Sequence, residues 1–186
     1  MESVTTTLHP EPALTRPDLL APPVLAALRG LEGERPVEAI SVAEIDPELA
    51  DTAAFCARYG VPMDASANCV LVAGRRGGET RVAACVVLAT ARADVNGMVR
   101  AQLDVRKASF LPMETAVAET GMEYGGITPI GLPLAWPVLV DRAVAEAPDV
   151  VIGSGVRRSK LWLSGAVLAG LPGVEVVDGL ARPAAG

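Results

Sequence analysis

Thr120-Gly121-Met122-Glu123-Tyr124-Gly125-Gly126-Ile127-Thr128-Pro129-Ile130-Gly131 places four glycines in twelve residues. Gly121 reads as the stop of a helix that opens at Pro112. Beyond it the chain has no period of two or of 3.6, so Met122–Pro137 reads as irregular. The adjacent glycines at 125 and 126 let backbone N–H groups approach a ligand closely, and Pro129 fixes the shape of the loop. A second glycine loop, Gly153-Ser154-Gly155-Val156-Arg157-Arg158, follows a predicted strand at Val150–Gly153. One loop follows a helix stop and the other a strand end, so together they are expected to form the two lips of a pocket.

Working outward, the chain alternates. A short helix is expected at Val24–Leu31, a strand at Val37–Val42, and a helix from Asp46-Pro47 to Tyr59 with Gly60 as its stop. The clearest element is a hairpin, Cys69–Ala73 and Arg81–Ala89 around the turn Gly74–Gly78. Asp94 caps a helix to Leu103, and Val105–Phe110 reads as a strand. Strands at Val138–Val140, Leu161–Leu163 and Val174–Val177 alternate with helices at Arg142–Ala147 and from Ser164. This pattern predicts a single α/β domain with a mixed sheet over residues 24–182. Residues 1–23 carry five prolines and no apolar period, and read as a flexible N-terminal arm.

Composition narrows the function. The chain has 186 residues, 51% of them hydrophobic and 20% charged, which excludes a disordered or coiled-coil protein. A net charge of -6 argues against coating nucleic acid through its phosphates; a partner touched only at its tip is still compatible. No apolar stretch approaches the ~20 residues that span a bilayer. The start of the chain has no apolar signal segment, and Cys56, Cys69 and Cys85 lack a C-x-x-C spacing. Both point to a cytoplasmic protein with buried, reduced thiols. Fourteen Arg against two Lys suit a high-GC bacterial genome. The sole histidine, His9, sits in the proline-rich arm, so Ser-His-Asp and Cys-His catalysis lack a base and zinc lacks ligands. Neither a metal nor a cofactor is implied.

Thr120-Gly121, three variable residues, then Gly-Gly-Ile-Thr-Pro-Ile-Gly closely resembles the central motif of the YbaK/EbsC family. These are aminoacyl-tRNA deacylases related to the editing domain inserted in bacterial prolyl-tRNA synthetases. The similarity follows the order of elements from about Val37 to Leu180 and includes the strand end at Asp141 and the Gly-Ser-Gly loop. It implies an α/β fold of YbaK type, a mixed curved sheet surrounded by helices. It also implies a free-standing, trans-editing hydrolase that cleaves the ester of a mischarged tRNA. The implied partners are the 3′ acceptor end of aminoacyl-tRNA and an aminoacyl-tRNA synthetase.

The family lysine before the first hairpin strand falls at Asn68, and the family's pocket aspartate falls at Lys160. The resemblance therefore implies a swapped pair, with Lys160 and Asn68 orienting the ribose and the attacking water. Backbone groups of Gly125, Gly126, Ile127 and Thr128 would face the scissile ester, with Pro129 and Gly131 shaping the loop. Gly153, Ser154, Gly155 and Arg157 would hold the terminal adenosine or its phosphate. Asp141 reads first as the N-cap of the helix after it and second as a pocket carboxylate. The alternatives are a non-catalytic small-molecule or nucleotide-binding module that has lost the family lysine, and a protein adaptor whose pocket is filled by its own side chains.

Overall fold

Residues 6–184 are described by the computed structural model, and order begins earlier in the chain than its prolines suggest. Strand β1 (Glu11–Pro12) pairs antiparallel with β2 (Ser41–Glu44). Ala13, Leu19, Leu20 and Ala21 are buried in the main core, where they meet Val24 and Leu28 of helix α1 (Pro22–Gly30). The flexible arm expected over residues 1–23 is thus corrected from residue 6 onward; residues 1–5 lie outside the described residues. Prolines mask the attachment because the segment follows its neighbours through single buried side chains rather than through a repeating face.

The strand expected at Val37–Val42 is also displaced. Pro36 sits in the first turn of α2 (Arg35–Glu38), a position that needs no N–H, and the strand begins only at Ser41. The helix expected from Asp46 is split: Pro47–Leu49 forms a 3-10 turn, and α3 (Thr52–Tyr59) ends at Gly60 in the left-handed conformation (φ 71°). The hairpin strands β3 (Ala67–Arg76) and β4 (Glu79–Leu88) stay paired out to Arg76 and Glu79. The turn is therefore only Gly77-Gly78, both at positive φ. Gly74 belongs to β3; a Cβ there would press on the Val105 side chain and the Lys107 carbonyl.

The chain continues through β5 (Ala91–Ala93), a π-turn capped by Asp94, α4 (Arg100–Leu103), β6 (Ala108–Phe110) and α5 (Met113–Thr120). After the irregular stretch come β7 (Val138–Asp141), α6 (Arg142–Ala145), β8 (Val150–Gly153), β9 (Ser159–Leu163), α7 (Gly165–Ala169), β10 (Val174–Val177) and β11 (Ala181–Pro183). Two principal sheets form, in place of the one expected. A mixed sheet runs β10-β7-β4-β3-β6, and an antiparallel sheet runs β1-β2-β9-β8; β5 and β11 make a small ribbon. Val82–Val87 is buried throughout because both faces of β4 are covered. Ala84 and Val86 face the main core, while Ala83, Cys85 and Val87 face a second cluster with Val99, Leu103 and Leu180.

Candidate active site

A cavity of about 360 Å³ opens between the first half of β3, the start of α3, the β6–α5 segment and the two glycine loops. Its walls are mostly apolar: Ala67, Cys69, Val70, Leu71, Phe110, Leu111, Met113 and Ala116. Its polar side chains are Asn68, Asp51, Thr52 and Lys160. Apolar walls with a few placed polar groups are the usual make-up of a small-ligand site.

Lys160 stands on β9, in register with Gly153 of β8 and Ala43 of β2. Its Nζ donates to the Ala50 carbonyl at 2.9 Å and lies 5.2 Å from the centre of the Phe55 ring. Burial pulls its pKa down from 10.5 to about 8; Arg157 reinforces the shift, and the Cys56 thiol and Asp51 oppose it. Asn68 stands on β3, and its side-chain carbonyl accepts a 2.8 Å hydrogen bond from the Thr52 hydroxyl. The swapped pair of the sequence analysis thus lines one cavity.

The glycine loops do not face each other across that cavity. They are stacked into one wall. The Gly155 amide donates to the Gly126 carbonyl at 2.7 Å, and the Glu123 amide donates to the Gly155 carbonyl at 2.8 Å. The Arg157 amide donates to the Glu123 carboxylate at 2.7 Å. Gly126 gives its own N–H to the Glu123 carbonyl at 2.9 Å, so it is not a free donor for a substrate. A Cβ at Gly126 would lie 2.8 Å from the Val156 backbone. Glu123 is the clasp of this wall, a residue that sequence reasoning passed over because it sits among the variable positions of the motif.

Of the residues singled out by sequence, the cavity collects Lys160, Asn68, Gly125, Ile127 and Gly153. The others serve elsewhere. Thr128 and Pro129 are buried behind the wall, and the Thr128 hydroxyl finds no partner among the described residues. Gly131 packs against the backbone of Pro23, and Gly155 against the Ala21 side chain and Val24. Ser154 is fully buried, with its hydroxyl 2.6 Å from that of Ser159. Asp141 is the N-cap of α6: its carboxylate accepts from the amides of Ala143 (3.2 Å) and Ala181 (3.0 Å). None of these lines the cavity, which corrects their expected substrate contacts.

Arg157 lies at the mouth. Its guanidinium donates to the Pro47 carbonyl at 3.2 Å and reaches Asp51 and the Tyr124 carbonyl, both at 3.4 Å. It therefore ties the α3 approach to both glycine loops. Thr52, Cys69, Phe110, Met113 and Tyr124 line the cavity without having been picked out, because only tertiary pairing brings β3, α3 and α5 together. All three cysteines are free, and burial pushes each thiol up, Cys85 to about 12. His9 is exposed. Among the described residues no helix is long and apolar enough to cross a membrane, and no group of three or more His, Cys, Asp or Glu could hold a metal ion.

The sequence model for the aminoacyl-tRNA editing domain matches residues 46–171, well over half of the chain. None of the curated proteins matches the sequence. Among solved structures, the hypothetical protein APE2540 superposes with a TM-score of 0.71 at 19% identity, covering 83% of this chain and 97% of its own. A candidate trans-editing enzyme for prolyl-tRNA synthetase gives 0.71 at 20% identity, covering 85% and 94%. At these identities the two structures establish a common fold, the mixed α/β architecture of YbaK-like editing domains. By the family match, which spans both loops, Asn68 and Lys160, the chain belongs to the aminoacyl-tRNA editing domain family.

Proposed function

We propose that this protein is an aminoacyl-tRNA deacylase that removes a mischarged amino acid in trans. Its single editing domain would span residues 24–182, with the N-terminal segment packed against it. The observation that carries this reading is the Lys160 ammonium, half-buried beside Asn68 and the Gly125 loop in a mostly apolar cavity. An ester seated there meets a cation held at the Ala50 carbonyl and a glycine backbone that can approach closely. Both suit the charge that grows on the carbonyl oxygen during hydrolysis. Water's oxygen bonds to the acyl carbon, the bond to the ribose oxygen breaks, and that oxygen takes up a proton. Asn68, oriented by Thr52, would hold the ribose or the water. No side-chain nucleophile is required, which suits a cavity whose only thiol, Cys69, is kept protonated by burial.

The cavity is not filled by the protein's own side chains, so the adaptor reading gains nothing, and no observation favours a non-catalytic module. The partner would be the 3′ acceptor end of aminoacyl-tRNA, with a synthetase able to supply further contacts. The test is deacylation of a panel of mischarged tRNAs by the purified protein. Turnover of at least one ester, lost in Lys160→Met, supports the reading; binding without turnover of any ester overturns it.

A further inference from the structure

We infer that the open end of β3 and β6, carrying Arg75 and Lys107, is a docking surface for the phosphates of the unpaired 3′ acceptor end of the tRNA. The inference rests on the proposed deacylase reading for its substrate, but on the charge distribution and the sheet register for its place.

The chain is acidic overall, yet its charges are segregated. Seven of its sixteen Lys and Arg fall between residues 75 and 107, against three of its twenty-two Asp and Glu. Asp104 already engages Arg76 and Arg81, and Asp94 engages Arg182. Arg75 and Lys107 are exposed and have no acidic partner among the described residues.

Register places these two cations on the same face as the cavity. On β3, Leu71 lines the cavity, and Ala73 and Arg75 follow it at the period of two. On the neighbouring strand, Leu111 lines the cavity, Ser109 pairs with Ala73, and Lys107 is the next position on that face. The Lys107 carbonyl lies 2.6 Å from where a Cβ on Gly74 would stand, so Lys107 sits directly beside the Gly74–Arg75 peptide. Four residues of strand from Leu71 to Arg75 span about 13 Å. A strand whose 3′ end enters the cavity and follows this face meets the two cations within its next few nucleotides.

Lysine and arginine on a polynucleotide act largely by releasing counterions, so each contact leaves a trace in the salt dependence. The probe is unfractionated, deacylated tRNA with an intact CCA end, titrated against the full chain at several salt concentrations. The double variant Arg75→Glu/Lys107→Glu is expected to bind at least tenfold more weakly, with the slope of log K against log salt reduced by about two. Arg29→Glu, one charge reversal of the same kind at an exposed position of α1, is expected to bind as the parent does. Equal affinity and equal slope in the double variant and parent would overturn the surface and leave the basic end to a protein partner. A second readout separates this from the deacylase reading. The ratio of kcat/KM on a full aminoacyl-tRNA to that on an aminoacyl ester of adenosine is expected to fall tenfold in the double variant. A parent that hydrolyses neither ester refutes the deacylase reading, while the tRNA titration still decides the surface.

Discussion

Gly125 and Gly153 face the same cavity and are glycine for opposite reasons. Gly125 holds a positive φ (86°), and the direction a side chain would take is blocked only by the Arg157 guanidinium, the far end of a flexible side chain held by hydrogen bonds of 3.2–3.4 Å. Gly153 lies in regular strand, and a Cβ there would stand 2.5 Å from the Gly126 carbonyl and 2.8 Å from that of Ile127. One glycine serves a conformation; the other serves the stacking of two backbones. The cavity therefore has a yielding lip at Gly125 and a rigid base at Gly153, and Lys160 is carried on the rigid side, paired with Gly153 in register.

If the chemistry belongs to the rigid side, Lys160→Met gives the largest effect. Removing the ammonium lowers kcat/KM on the best aminoacyl-tRNA a hundredfold or more, about 3 kcal/mol of transition-state stabilisation. Thermal denaturation of that variant shows a Tm close to the parent's, since an apolar side chain replaces a half-buried charge that has no acidic partner within salt-bridge distance among the described residues. Parental turnover in a folded Lys160→Met protein breaks the comparison at its root.

Gly153→Ala tests the rigidity itself. Neither carbonyl it meets belongs to a mobile side chain, so the stack must part, at a cost of about 2–3 kcal/mol and a Tm drop of about 5–10 °C. Gly125→Ala sharpens the contrast. The left-handed backbone costs about 1 kcal/mol, and the guanidinium can swing aside. Tm then moves little, while activity falls roughly tenfold because the lip no longer closes on the ester. Should Gly125→Ala prove the more damaging to Tm, the roles of the two glycines are reversed.

The smallest effect is a shift in pH dependence. Lys160 is cationic below its pKa, so kcat/KM is expected to be highest on the acid side and to fall as pH rises through about 8. Asn68→Lys puts a second ammonium in the cavity, which disfavours the charge on Lys160. The descending limb then moves to lower pH by a few tenths of a unit, and the plateau does not rise. A limb that stays fixed in this variant separates Asn68 from Lys160 electrostatically and leaves them neighbours in name only.

Much of the scaffold was legible because its signals are local. Gly60 and Gly121 stop their helices at positive φ, Asp94 and Ser164 cap theirs, and the alternation of the hairpin strands overrides everything around them. Lys160 and Asn68 were readable only through resemblance, since nothing in their own neighbourhoods sets them apart from an ordinary strand-end lysine and a polar strand residue. The loop glycines were misread in a consistent direction. Gly131 and Gly155 look like ligand-facing residues until Pro23 and Ala21 arrive from a segment with no periodicity of its own. A reader of local pattern sees an opening where the fold puts a neighbour.

The attachment of residues 13–21 has a consequence for how the protein is made. The Ala21 amide donates to the Ser154 carbonyl, the Ser159 hydroxyl to the Leu19 carbonyl, and the Arg158 guanidinium to the Asp18 carbonyl. These partners are separated by most of the chain, and on a ribosome the first is synthesised long before the last. Leu19 and Leu20 emerge as an apolar stretch with no sheet to join, and they remain so until β8 and β9 have followed. The wall of the cavity is thus among the later parts to be completed, its closure waiting on a loop of up to 140 residues, about three quarters of the polypeptide.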